Sequence, residues 1–162
     1  MKRVSKANYY LDIAQTVSER STCLRKKYGA IIVKNDIIIS TGYNGAPRGR
    51  KNCSDLGYCI REKLNIPRGE RYELCRSVHS EANAIIAASR EEMLEAALYM
   101  TCVDPQTDEV VPDTCSCGMC KRLIINAGIS TVIIRNTEID YTVINVRDWI
   151  FNDDSLSGQF GY

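Results

Sequence analysis

The chain has 162 residues, 44% of them hydrophobic and 25% charged, with a formal net charge of +1. That length holds one domain with a real core, here taken as 1–162, and not two comfortable ones. The near-neutral balance argues against a broad nucleic-acid or anionic-membrane surface, and no apolar run reaches the ~20 residues of a membrane span.

The opening stretch MKRVSKANYYLDIAQ is basic at first, then carries Tyr9, Tyr10 and Asp12 where a secretory signal has its apolar core. It predicts the first helix of a cytoplasmic protein. Over residues 5–20, Tyr9, Leu11, Ile13, Ala14 and Val17 fall near helical spacing. Residues 28–45 follow with two β-branched runs flanking Lys34, Asn35 and Asp36, a hairpin pattern. Residues 45–78 form an insert without periodicity, unusual in a compact domain unless something ties it down. A second helix is predicted over VHSEANAIIAASREE, beginning near Val78. Then come a strand in AALYMTCV, a helix in CGMCKRLIINAG closed by Gly128, and a strand in ISTVIIR. YTVINVRDWIF suits a further strand or a short helix, and 152–162 read as a loose tail. The order predicts a three-layer α/β/α sandwich around a mixed sheet.

Eight cysteines and one histidine mark the chain. In a cytoplasmic protein such cysteines are metal ligands or reactive thiols more often than disulfides. His79 precedes a predicted helix, with Glu81 two residues on. Cys117 and Cys120 have CxxC spacing and open another helix, whose N-terminus favours the metal-binding thiolate. One imidazole and two thiolates leave the fourth position of a tetrahedral zinc open for water, the pattern of a catalytic site. Zinc makes such a water nucleophilic near neutral pH, and Glu81 is placed to move protons. Cys115 with Cys117 offers a second ligand register, but residues two apart in an extended segment diverge. Cys117 with Cys120 is therefore preferred and Cys115 left spare. Cys102, in a strand, reads as core. Cys23, Cys53, Cys59 and Cys75 suffice for a closed structural zinc that would order the insert; buried or free thiols are the alternative.

H-x-E followed by C-x-x-C is the zinc-deaminase signature. Over roughly residues 9–135 the chain resembles the cytidine/deoxycytidylate deaminase superfamily, and its dCMP deaminase branch most of all. The resemblance lies in HSEANAII, CGMCKRLIINAGISTVII, RSTC, YGAIIVKNDIIISTGYNGAPRG, GERYELCRSVHSE and the cysteine-bearing CIREKLNIPRGER. It implies hydrolytic deamination of dCMP to dUMP with release of ammonia. Water on a catalytic zinc would add to C4, with Glu81 as proton shuttle. It implies substrate contacts from Asn44 to the sugar and from Arg48, Arg20, Ser21 or Arg25 to the phosphate. It also implies a second zinc in the insert, a homo-oligomer with a hexamer favoured, and dCTP and dTTP as effectors, with Mg2+ accompanying the nucleotide. Arg90, at the end of the HSE helix, is where the resemblance would place subunit or effector contacts.

Three positions depart from the pattern, one of them Cys115, where the family usually has no cysteine. Ser116 stands where the family has Pro before the first cysteine, which loosens backbone expected to accept a hydrogen bond from the leaving amino group. Ser80 stands where it has Ala, which puts a hydroxyl near the zinc. The remaining alternatives are a deaminase of a modified or ribose pyrimidine nucleotide, or of RNA, which the charge disfavours, and a non-catalytic zinc scaffold. The presence of Glu81 counts against the scaffold, since zinc binding alone does not need it.

Overall fold

The structure, a computed structural model, describes residues 1–153. Helix α1 (Lys6–Ser18) begins where the Ser5 hydroxyl accepts the Asn8 N–H at 3.2 Å. Strands β1 (Lys27–Lys34) and β2 (Ile37–Tyr43) follow as the expected hairpin. Its two-residue turn, Asn35-Asp36, takes left-handed φ values of 50° and 65°, the geometry that matches strand twist. The later elements are α2 (Cys53–Leu56), α3 (Ile60–Lys63), a 3₁₀ turn (Tyr72–Leu74), α4 (Ser80–Ile86), α5 (Arg90–Met93), β3 (Ala97–Val103), α6 (Gly118–Ala127), β4 (Thr131–Arg135), β5 (Tyr141–Asn145) and α7 (Val146–Phe151).

The five strands form one mixed sheet in the order β2-β1-β3-β4-β5. Strand β1 runs antiparallel to both its neighbours, β3 and β4 are parallel, and β5 is antiparallel to β4. Alternation along β1 builds the layers. Ile31 and Val33 pack with Tyr10 and Ala14 of α1, whereas Ala30 and Ile32 join Leu98, Met100, Val132, Ile134, Ala84 and Ile124. Helix α1 thus covers one face and α4 with α6 the other. This is the expected α/β sandwich.

The structure differs from the sequence reading in three places. The predicted helix over 78–92 breaks after Ile86, because Ser89 starts a new one: its hydroxyl accepts the Glu92 N–H at 3.2 Å while the Glu92 carboxylate accepts the Ser89 N–H at 3.1 Å. The segment read as strand or helix is both, since Asn145 ends β5 and caps α7 through the Arg147 N–H. The insert is not structureless. Gly45 and Val78 exchange two backbone hydrogen bonds at its base, of 3.2 and 2.7 Å, and short helical turns fill it. The tail expected over 152–162 lies, from residue 154 onward, outside the described residues. Among the described residues no helix is long and apolar enough to cross a membrane.

Candidate active site

Strands β2 and β3 finish, and β1 begins, at the same end of the sheet. Helices α4 and α6 start there. His79 is the N-cap of α4, Cys117 is the N-cap of α6, and Cys120 lies in its first turn. The His79 Nδ1 and the two sulfurs all lie within 4.8 Å of one another. His79 Nδ1 is 3.3 Å from Cys117 Sγ and 3.4 Å from Cys120 Sγ.

Backbone proximity holds α4 in place. The Ser40 hydroxyl of β2 donates to the Ala84 carbonyl at 2.7 Å, and the Asn83 amide donates to the Tyr43 carbonyl at 2.8 Å. Gly42 lies directly beneath. A Cβ on it would meet the Ser80 carbonyl oxygen at 2.3 Å and the Ala84 nitrogen at 2.4 Å, so only glycine lets the helix sit this close. For α6, burial of Ile124 and Ala127 against the sheet fixes the pose, and Gly128 ends the helix at a φ of 83°.

The electrostatics suit a cation. Burial opposes charge on His79, but its contacts with the Cys117 and Cys75 sulfurs and the nearby Glu81 raise its pKa to about 10. The Cys120 thiol donates to Cys117, which pulls Cys117 down and pushes Cys120 up. Metal binding takes neutral imidazole and thiolates, and a borderline-soft donor set of one nitrogen and two sulfurs fits zinc.

Glu81 is 4% exposed and lines a cavity of about 230 Å³ next to these donors. Its Oε2 accepts the Ser80 hydroxyl at 3.0 Å. Asn44 lines the same cavity. Its Oδ1 accepts from the Ser21 hydroxyl at 2.5 Å and the Tyr28 N–H at 2.8 Å, and its Nδ2 donates to the Lys26 carbonyl at 2.9 Å. Arg25 lines the cavity and pairs with Glu62 at 2.9 Å. Arg20 and Arg48 are exposed and do not line it, and Arg90 is the exposed first residue of α5.

Cys23, Cys59 and Cys75 line the cavity as well, and Cys53 is buried close to them. Burial, then the neighbouring Cys23, Cys59 and Cys75, push the Cys53 thiol up. Among the described residues, no three of these four sulfurs come within the 4.8 Å that unites His79, Cys117 and Cys120. Cys115 is half-buried on the cavity wall, apart from that cluster, and Cys102 is fully buried core. Ser116 Oγ is buried without a hydrogen-bond partner.

Several site residues escaped sequence reasoning. Tyr28, Lys26 and Arg68 line the cavity. Arg61 is 4% exposed inside the insert, donates to the Glu70 and Pro67 carbonyls at 2.7 and 2.9 Å, and lies 4.2 Å above the Tyr72 ring. Tyr72 in turn meets the His79 ring edge-on, with centroids 5.4 Å apart. Nothing in a polar, aperiodic stretch distinguishes Arg61 from its exposed neighbours.

A His–Cys–Cys donor set with a carboxylate that is not part of it, two residues past the histidine, defines a zinc-dependent hydrolytic deaminase site. The family model for the cytidine and deoxycytidylate deaminase zinc-binding region matches residues 4–136, and the chain belongs to that family. It is 36% identical over 138 residues to a deoxycytidylate deaminase of Mycobacterium phage D29, covering 82% of this chain and 96% of that protein. It is 33% identical over 131 residues to the Schizosaccharomyces pombe deoxycytidylate deaminase, covering 81% of this chain but only 37% of that protein. Among solved structures, the apo dCMP deaminase of cyanophage S-TIM5 aligns with a TM-score of 0.55 and 26% identity, over 81% of this chain and 82% of that one. A cytidine deaminase from Burkholderia pseudomallei shares the fold, with a TM-score of 0.53 at 17% identity, over 89% and 95% of the two chains.

Proposed function

We propose that the protein deaminates dCMP to dUMP and ammonia. One observation carries the reading: the three donors converge within 4.8 Å at two helix starts, and the buried Glu81 faces the same cavity. Zinc held by His79, Cys117 and Cys120 would supply Lewis-acid activation of water. The chain's own groups do the rest. Glu81 takes a proton from the attacking water and delivers it to the pyrimidine ring nitrogen; it then takes the second proton from the hydroxyl now on C4 and gives it to the amino group, which leaves as ammonia. Asn44, held by three hydrogen bonds, keeps one N–H for the sugar. Arg25, with Lys26 and Arg68 on the same cavity, favours a phosphorylated ligand over a neutral nucleoside. Ser21 acts on the substrate through Asn44. Arg20 and Arg48 reach a phosphate only if their exposed side chains fold inward.

Four neighbouring thiols support a second, structural zinc on Cys23, Cys53, Cys59 and Cys75, bound after their sulfurs draw closer. The family reading extends to a cytoplasmic homo-oligomer, a hexamer in preference, with dCTP and dTTP as effectors alongside Mg2+, and with Arg90 at a subunit or effector contact. The protein is read as a single deaminase domain with 45–78 as its inserted loop. A different pyrimidine nucleotide is the second reading, favoured by Ser116, whose buried unpartnered hydroxyl replaces a proline.

The test is ammonia release by zinc-loaded protein from dCMP, CMP and deoxycytidine, with and without dCTP and Mg2+. Turnover confined to dCMP supports the reading. Turnover of CMP in preference moves it to the ribose analogue, and release from none of them overturns it.

A further inference from the structure

We infer that Ser80 is a positioning residue for Glu81: its hydroxyl pins Oε2 of the carboxylate and so presents Oε1 to the substrate. The inference rests on the deaminase reading above. Among the described residues the Ser80 hydroxyl is the one hydrogen-bond donor to this carboxylate, at 3.0 Å. Both residues are buried, Ser80 at 0% exposure and Glu81 at 4%. A glutamate's terminal torsion is broad and roughly two-fold, so an unheld carboxylate swings between orientations. One short contact from the preceding residue removes most of that freedom.

The donor is itself immobile. Ser80 opens α4, and its carbonyl rests against Gly42 of β2, so the hydroxyl projects from backbone fixed on the sheet. With Oε2 occupied in this way, Oε1 is, among the described residues, the oxygen left free for a substrate in the cavity that Glu81 lines. The two oxygens therefore have separate tasks: Oε2 is an anchor and Oε1 carries the proton. An alanine at 80 fills the same helix-start backbone but leaves the carboxylate to find its orientation anew in each turnover.

The test compares the full-length, zinc-loaded wild type with Ser80→Ala in two ways. In kinetics with dCMP, the variant is expected to lose roughly ten- to a hundredfold in kcat, the worth of one hydrogen bond to a charged group, with KM and zinc content unchanged. In crystal structures of the two zinc-loaded proteins, Glu81 is expected in one orientation in the wild type and spread over two or more in the variant. An equal kcat with an unchanged Glu81 orientation overturns the inference, as does a loss confined to thermal stability. Should the wild type fail to turn over dCMP, the deaminase reading fails on that result alone, and the crystallographic arm still decides whether Ser80 fixes Glu81.

Discussion

Two regions of the molecule bring cysteines near His79, by different physical means. Cys117 and Cys120 arrive on α6, a ten-residue helix with one face buried on the sheet, so their positions follow from core packing. Cys59 and Cys75 arrive on the insert, which has almost no apolar core and is held by the Gly45–Val78 bridge and the buried Arg61 guanidinium. The first arrangement gathers its donor atoms within 4.8 Å; among the described residues the second does not. A site built on regular elements stands ready for its ion, whereas the second zinc site proposed for the insert would rely on the ion to finish it.

The largest effect that bears on this contrast is at Glu81, a group of the first region that is not among the metal donors. Glu81→Gln is expected to lower turnover by roughly 10²- to 10⁴-fold, the span of general acid–base catalysis, at unchanged zinc content. Ammonia release beside elemental analysis checks it, and surviving turnover would break the mechanism.

Metal content compares the regions directly. Cys117→Ala is expected to abolish both zinc retention and activity. Cys59→Ala is expected to lose one zinc of two while keeping the catalytic ion and most of the turnover. If both variants lose the same metal, the two regions form one site and the contrast collapses.

Within the insert, Arg61→Ala strands two carbonyls and uncovers Tyr72. It is expected to destabilise the insert by about 2 kcal/mol or more, read as faster protease cleavage between residues 46 and 77 with the sheet intact. The smallest effect concerns Glu73, which forms an exposed pair with Arg71 on the same insert. That guanidinium, followed by a backbone N–H, holds the Glu73 carboxyl below its usual range. A depressed carboxyl adds stability above its unfolded pKa of about 4.3, lost as pH falls through the folded value. At this exposure the contribution is slight. Glu73→Gln is expected to leave cleavage at pH 7 nearly unchanged, with any difference from wild type vanishing in acid. A large effect would mean that surface pairs, rather than Arg61, hold the insert.

What the sequence disclosed divides along the same line. His79, Glu81, Cys117 and Cys120 were legible because helix starts and CxxC spacing are local, and the strands because β-branched runs alternate over a buried sheet. The break between α4 and α5 was also written locally, in Ser89 and Glu92, but the apolar run through Ile85, Ile86 and Ala88 masked it. Burial of Arg61, the hold of Ser21 on Asn44 and the presence of Tyr28, Lys26 and Arg68 on the cavity wall depend on contacts far apart in the chain. No spacing rule reaches them.

Gly42 does not line the cavity and carries no side-chain chemistry, yet it sets the height of His79, Ser80 and Glu81 above the sheet. A single added methyl would collide with the helix backbone rather than with a side chain that could turn aside. Relief would come only from lifting the start of α4, and a shift of about 1 Å in a catalytic group can cost 10²-fold in rate. The position is a mechanical datum: the tolerance of the whole site is set by an atom that is not there, and genetic variation at Gly42 would look catalytic while acting only by displacement.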